Sequence, residues 1–304
     1  MSRSISFRVP ASTSNLGAGF DALSLALQKY LTVTIEPASA FDIVAGGLHA
    51  ASIPLTSDNL ILRVANSVAA QRGRKLAPFR MTMENEIPLA RGMGSSAAAI
   101  IAGITCYERV MEDSLSEQEI FRYAHEFESH PDNLAAALRG GLVSAAVTAK
   151  GEVLTAKLPV VSGISPVVVI PAFELSTEKA RAVLPHTYSR KDAVYNIQRS
   201  ALTIAALTTG DLSILREAMR DRIHQPFRAP LIPGLEEILE MSTPGLLGVA
   251  LSGAGPTVLA FANAEDAERI GEAIAAVFGK HGVKASSNVV NIDTEGRVIL
   301  PGEL

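Results

Sequence analysis

A two-domain α+β protein is the fold class that the sequence predicts, and three observations predict it. The chain has 304 residues, 48% of them hydrophobic, enough for a sizeable core and longer than one core usually grows. Strand-like and helix-like segments alternate unevenly, with both turn-linked and helix-linked strand pairs, which disfavours a doubly wound sheet. A stretch containing proline and glycine, Pro159–Pro166, precedes a fresh run of β-branched residues, Val167–Ile170. That stretch is the expected boundary, giving domains 1–160 and 161–304.

The elements follow in order. Alternating apolar residues predict strands at Ile5–Val9, Leu31–Glu36 and Met81–Glu86. Asn59–Ala70 reads as a helix with Asp58 as its N-cap. Ser95–Met111 is small, apolar and free of proline, so it reads as a buried helix opening on a glycine-rich loop. Ser116–Phe127 starts with the Ser-x-x-Glu spacing of a capping box, Ser116 to Glu119. Gly140–Thr148 reads as a strand. Beyond the boundary the pattern predicts the buried strand Val167–Ile170, helices Thr177–Val183 and Asp192–Thr208, strands Leu247–Leu251 and Thr257–Phe261, helix Ala264–Phe278 and strand Lys284–Val290.

Composition removes several function classes. Lys+Arg 27 against Asp+Glu 31 gives a net charge of −4, so no global basic field exists for a nucleic-acid binder. The single cysteine, Cys106, excludes an internal disulfide framework and a cysteine-rich zinc site. The chain opens Met-Ser-Arg-Ser-Ile-Ser, without the apolar run of a secretory leader, and holds no stretch of roughly 18 apolar residues. A soluble cytoplasmic protein with no membrane partner is the expectation.

Three glycine-rich loops stand out: Val9–Asp21, Ile87–Ala99 and Leu251–Thr257. In the second, Gly92 and Gly94 permit backbone conformations and close approaches that a side chain blocks. Ser95 and Ser96 then open a helix, where free amides and the positive dipole end favour an anion. This is a phosphate cradle without a lysine; no Gly-Lys-Ser/Thr triplet of the Walker kind occurs. A tight turn with a serine cap is the plainer reading of that segment alone, and a β-turn of the third. Gly17–Ala22 and Gly92–Ala97 also fit a loose dinucleotide fingerprint, with Glu36 downstream. Arg8 and Pro10 in the preceding strand, and a crossover of only Phe20 to Lys29, argue against it.

Taken together, the loops resemble the GHMP kinase superfamily. Their order matches it: Pro-Ala-Ser-Thr-x-Asn-Leu-Gly early, Pro-x-x-x-Gly-x-Gly-Ser-Ser-Ala centrally, Ser-Gly-Ala-Gly-Pro-Thr late. Within that superfamily, four segments resemble the homoserine kinases: Asn15–Asp21, His130-Pro131-Asp132-Asn133 with Gly140-Gly141, Thr177–Arg181 and Pro226-Phe227-Arg228. The resemblance implies a ribosomal protein S5 domain 2-like N-terminal domain that binds ATP, and a ferredoxin-like C-terminal domain. It implies ATP-dependent phosphorylation of the L-homoserine hydroxyl, in threonine biosynthesis, with Mg2+ as cofactor and a homodimer as assembly. Another small-alcohol kinase of the superfamily is the alternative. Departures are Met93 for leucine, Ala18 for proline, Phe227 for tyrosine and Ser129 for glycine.

The residues suit that chemistry. An amino alcohol carrying both charges needs an anion for its ammonium and cations for its carboxylate. Asp21, with Asn15 beside it, suits the first; Arg181 and Arg228 suit the second, since a guanidinium grips a carboxylate with two parallel bonds. Thr177 lies one helical turn before Arg181. The resemblance places these five in the substrate pocket, with His130 and Gly253. It assigns Pro88, Leu89, Ala90, Arg91, Gly92, Met93, Gly94, Ser95, Ser96, Ala97 and Ala98 to the nucleotide loop, and Asn59 to the base, where helix capping competes. Ser96 and Glu128 are the expected Mg2+ ligands and catalytic groups, with Glu126 the alternative to Glu128. Direct in-line transfer is expected, with no general base singled out. His125 and His224 are read as structural.

Overall fold

The computed structural model describes residues 4–301; Met1 to Arg3, part of the opening read above, and residues 302–304 lie outside the described residues. The fold is the two-domain α+β architecture expected. β1 (Ile5–Asn15) and the long β2 (Gly19–Pro37) form an antiparallel pair joined by the first glycine turn. β1 runs past its expected end because a register shift between Pro10 and Ala11 absorbs the proline. β3 (Asp42–Gly47) pairs in parallel with β4 (Phe79–Asn85), and α1 (Leu60–Gln71) connects them. Asn59, not Asp58, caps α1: its Oδ1 accepts from the amides of Ile61 and Leu62.

α2 (Ser95–Met111) spans the predicted residues and is buried along most of its length, in keeping with its run of small side chains. α3 (Glu117–His125) carries the predicted capping box from Ser116 to Glu119. α4 (Pro131–Arg139) follows, and β5 (Leu142–Val147) forms a hairpin with β6 (Val153–Leu158) while pairing with the first half of β2.

The second sheet holds β7 (Ile164–Pro171), β8 (Leu246–Leu251), β9 (Val258–Asn263) and β10 (Ala285–Val289), all antiparallel, in the order β10-β7-β9-β8. α5 (Thr177–Ala182), α6 (Arg190–Thr209), α7 (Leu215–Ala218), α8 (Gln225–Arg228) and α9 (Leu235–Leu239) lie between β7 and β8, and α10 (Ala267–Lys280) between β9 and β10. That is the split βαββαβ pattern of a ferredoxin-like domain. Both faces of this sheet are covered. Val167 and Val169 of β7 point into a core shared with α9 and α10, while Val168 points into the core of the first domain. The four β-branched residues read as one buried run therefore serve two cores.

A single boundary at 160 is simpler than the sheet membership. The chain returns after β10: Leu27 bridges to Ile292, and β11 (Val298–Ile299) pairs with β1. Arg297 also pairs with the buried Glu108 of α2. No helix among the described residues is long and apolar enough to cross a membrane.

Candidate active site

The three glycine loops, read separately in the sequence, are stitched to one another. Ser12 donates from its amide to the Met93 carbonyl at 3.2 Å, and Gly253 to the Ser14 carbonyl at 3.1 Å. Ser252 Oγ reaches the Gly92 carbonyl at 2.6 Å and Asn15 Nδ2 the Gly253 carbonyl at 3.0 Å. Asn15, Leu16, Asp21 and Ala90 hold left-handed backbone at this junction. Non-glycine residues do so rarely, and cluster where the surroundings over-determine them.

Gly94, at φ 68, caps α2 without a side-chain bond. The first intrahelical bond runs from Ala98 to the Gly94 carbonyl, so the amides of Ser95, Ser96 and Ala97 begin the helix with no partner on the preceding turn. No acid stands in that first turn. The serine cap of the plainer reading is absent, and the Ser96 side chain is exposed. These amides stand at the positive end of a 17-residue helix, an arrangement that can hold an anion through the main chain.

Two cavities flank that helix start. One, of about 260 Å³, has a mostly apolar wall that includes Ile53, Pro54, Leu60 and Leu89. Asn59 lines it, but its side chain is engaged in capping and in a 2.8 Å bond to the Pro54 carbonyl. The other, of about 330 Å³, sets charged and polar side chains beside apolar surface and runs between the domains. Ser95 and Ser96 border both. A flat apolar group on one side and a small polar molecule on the other would meet at these amides.

The polar cleft collects Asn15, Asp21, Glu128, His130, Thr177, Arg181, Arg228 and Gly253. The expected division of labour needs correction at one point. Arg181 is not free to grip a carboxylate: Nη1 and Nη2 bond the two Asp21 oxygens at 3.2 and 2.7 Å. In this state the acid and one cation neutralise each other. Arg228 is 1% exposed, bonded through Nε to the Ala180 carbonyl at 3.0 Å and through Nη1 to the Gly253 carbonyl at 3.0 Å. Burial, and then the charge of Arg181, push it down to about 10, so it stays charged at neutral pH.

Glu128 and Glu126 part company. Glu126 is exposed and bonded to Gln71 at 2.7 Å, outside the cleft. Glu128 lines the cleft and meets His130 Nδ1 at 2.8 Å. Burial alone would raise its pKa, but the bonds from His130 and the charge of Arg181 hold it below the usual carboxylate range. No cluster of three or more His, Cys, Asp or Glu among the described residues forms a metal cage. One hydroxyl, Ser96, and one carboxylate, Glu128, suit Mg2+ held jointly with substrate phosphates and water.

Asn133 and Asp132 line the cleft as well, beyond the expected site residues. Asn133 accepts from Ser12 Oγ at 2.8 Å and donates to Ser14 Oγ at 2.9 Å. Asp132 is 2% exposed, and burial, then the Asp21 charge, raise its pKa from 3.8 to about 6. Pro131 at the first helical position of α4 was the available signal. An acid with a raised folded pKa keeps its proton longer when folded. Its stabilisation is complete below about pH 4 and is lost as pH rises through about 6. Asp132→Asn is therefore expected to raise stability at pH 7.5 by on the order of 1–3 kcal/mol and to change it little at pH 4. Calorimetry at the two pH values checks this; an equal effect at both would sink it.

Some expected loop residues sit elsewhere. Met93 and Ala98 are buried in the first-domain core and line neither cavity. Pro88 lines a third cavity with Lys29, His49, Arg91 and Lys284. Ala90, Arg91, Gly92, Gly94 and Ala97 do line the polar cleft. The Gly17 window joins two antiparallel strands, with no crossover helix after it, so the dinucleotide fingerprint fails there. Phe227 is 37% exposed, beside Tyr188, and Ser129 is exposed next to His130.

Comparison with known proteins gives the chain a family. Residues 59–141 match the GHMP kinases N terminal domain and residues 203–280 the GHMP kinases C terminal domain. A homoserine kinase of Solibacter usitatus is 46% identical over 84% of each chain. The chain belongs to the homoserine kinases of the GHMP kinase family. A second homoserine kinase, from Aquifex aeolicus, is 42% identical over 96% of this GHMP kinase chain and 98% of its own. Among solved structures, the homoserine kinase of Cytophaga hutchinsonii superposes with a TM-score of 0.84 at 25% identity, covering 99% and 98% of the two chains. A Lactococcus lactis galactokinase, 15% identical with a TM-score of 0.69 over 98% and 95% of the chains, shares the GHMP kinase fold.

Proposed function

We propose that the chain transfers the γ-phosphoryl group of ATP to the hydroxyl of L-homoserine, giving O-phospho-L-homoserine and ADP. The observation that carries this reading is one cleft holding both an uncapped helix start and the Asp21, Arg181, Arg228 set. The apolar cavity beside Asn59 suits the adenine, and the amides of Ser95 to Ala97 suit the phosphates. Homoserine brings its own pair of charges. Its carboxylate can turn to Arg228 and Arg181, and its ammonium to Asp21, so the Asp21–Arg181 pair opens to receive it. A sugar or mevalonate has no use for that exchange of partners. The pathway reading, a step toward threonine, rests on this substrate.

The hydroxyl oxygen forms the new bond to phosphorus as the bond to the ADP oxygen breaks. Positioning and charge neutralisation supply most of the acceleration in such transfers. Asn133, fixed by Ser12 and Ser14, can orient the hydroxyl, and Asp132, with its raised pKa, can take the proton. Mg2+, when bound, supplies neutralisation of phosphate charge; Ser96 and Glu128 are the groups placed to hold it. No phosphorylated enzyme is needed.

A coupled assay over homoserine, mevalonate, galactose and shikimate tests the reading. Turnover confined to homoserine is expected; equal turnover of mevalonate would sink it. Ser96→Ala is expected to lower kcat about tenfold or more, with the deficit narrowing as Mg2+ is raised. Unchanged kinetics at limiting Mg2+ would remove Ser96 from the site.

A further inference from the structure

We infer that His224, outside the cleft and unused by the mechanism above, is the positioning residue for the homoserine carboxylate, holding Arg228 through one ring nitrogen and the Gly17 turn through the other. The inference rests on the homoserine reading.

The backbone around His224 is pinned first. Asp221 accepts from the amides of Ile223, His224 and Gln225 at 3.0, 2.8 and 2.6 Å, and from Asn196 Nδ2 at 2.6 Å. The His224 ring is 0% exposed. Its Nε2 lies 2.9 Å from the Gly17 carbonyl, which can only accept. Its Nδ1 lies 3.1 Å from Arg228 Nη1, which can only donate. These two neighbours leave one consistent tautomer: proton on Nε2, lone pair on Nδ1. The Phe20 ring stacks on the imidazole at 5.0 Å, and the Arg228 and Arg181 guanidiniums lie 5.4 and 5.5 Å from the same ring.

Arg228 therefore hangs from three fixed acceptors: the Ala180 carbonyl at the substrate-side helix, the Gly253 carbonyl of the third loop, and His224 Nδ1. Two of these are carbonyls of segments that approach the ligand. The imidazole is the one that ties the guanidinium to the first glycine turn, which also carries Asp21. A protonated ring would set a second N–H and a second charge against Arg228. Burial, assisted by Arg228 and opposed by Asp221 and Asp21, keeps the ring below the usual histidine range, so the acceptor is maintained.

Two near-isosteric variants separate the two halves of the role. His224→Asn keeps an acceptor at the Nδ1 position; His224→Gln keeps a donor at the Nε2 position and loses that acceptor. Steady-state kinetics should show the homoserine KM raised about tenfold or more in His224→Gln and within about threefold of the parent in His224→Asn, with ATP KM unchanged in both. A parental homoserine KM in His224→Gln, or equal shifts of ATP KM, would overturn the role. If either variant fails to fold, 15N spectra of histidine-labelled parent protein decide. One imidazole should keep the neutral Nε2–H form as the pH is lowered through the usual histidine range and shift on adding homoserine. The lack of any imidazole that stays neutral through that range, or indifference of that one to homoserine, would overturn it equally. Absence of homoserine turnover in the parent refutes the substrate reading instead, which the same assay shows separately.

Discussion

Gly92→Ala is expected to lower kcat/KM for ATP by about 100-fold or more, the largest kinetic effect in the molecule. Gly92 sits at φ 76, and a Cβ there would run into the Ser252 carbonyl oxygen and the main chain of Gly255. Neither neighbour is a flexible side chain that can swing away. The left-handed conformation alone costs an alanine on the order of 1–2 kcal/mol. The greater damage is geometric. Ser252 Oγ bonds the Gly92 carbonyl, and two residues later Gly94 opens the helix whose amides are proposed to take the phosphates. Pushing the second loop from the third moves that helix start, and a displacement of about 1 Å at a reacting centre can cost about 100-fold. Calorimetric titration with ATP and steady-state rates would measure both effects. A parental ATP KM in a folded Gly92→Ala protein would contradict the close contact of Gly92 with the third loop.

Arg228→Ala is expected to raise the homoserine KM by about tenfold to more than a hundredfold, the 1.5–3 kcal/mol range of a charge-assisted bond, with ATP KM little changed. Its guanidinium is buried, so truncation also strands the Ala180 carbonyl and His224 Nδ1, while the Gly253 carbonyl keeps Asn15, and the melting temperature should fall. Arg228→Lys should not restore affinity, because an ammonium cannot reproduce the planar fork that serves His224, Gly253 and a carboxylate at once. A homoserine KM that does not move would take Arg228 out of the pocket.

Much of the fold was legible because its signals are local. The alternation of β4 is visible in its own residues and appears as strict burial alternation in the sheet. The small apolar run of α2 and the capping box of α3 work the same way. β3 and β6 were not legible: both are short, part-exposed strands with little alternation of their own. α4 is marked only by Pro131 in its first turn: it is nine residues long and its N-cap, His130, makes no side-chain capping bond. β2 reads as a strand only over its second half, since its first half is shaped by pairing with β5.

By itself, the sequence determined the periodicities, the places where only glycine fits, and the inventory of charges available to bind a phosphate and a small zwitterion. Tertiary structure alone decided which of those groups face one another. Asp21 meets Arg181 across 160 positions of chain; His224 reaches Gly17 across 207; β11 closes back onto β1. The physical reason is range. Helix and strand patterns are written within a turn or two of backbone, whereas a salt bridge or a hydrogen bond between distant segments exists only once packing has brought them within 3 Å.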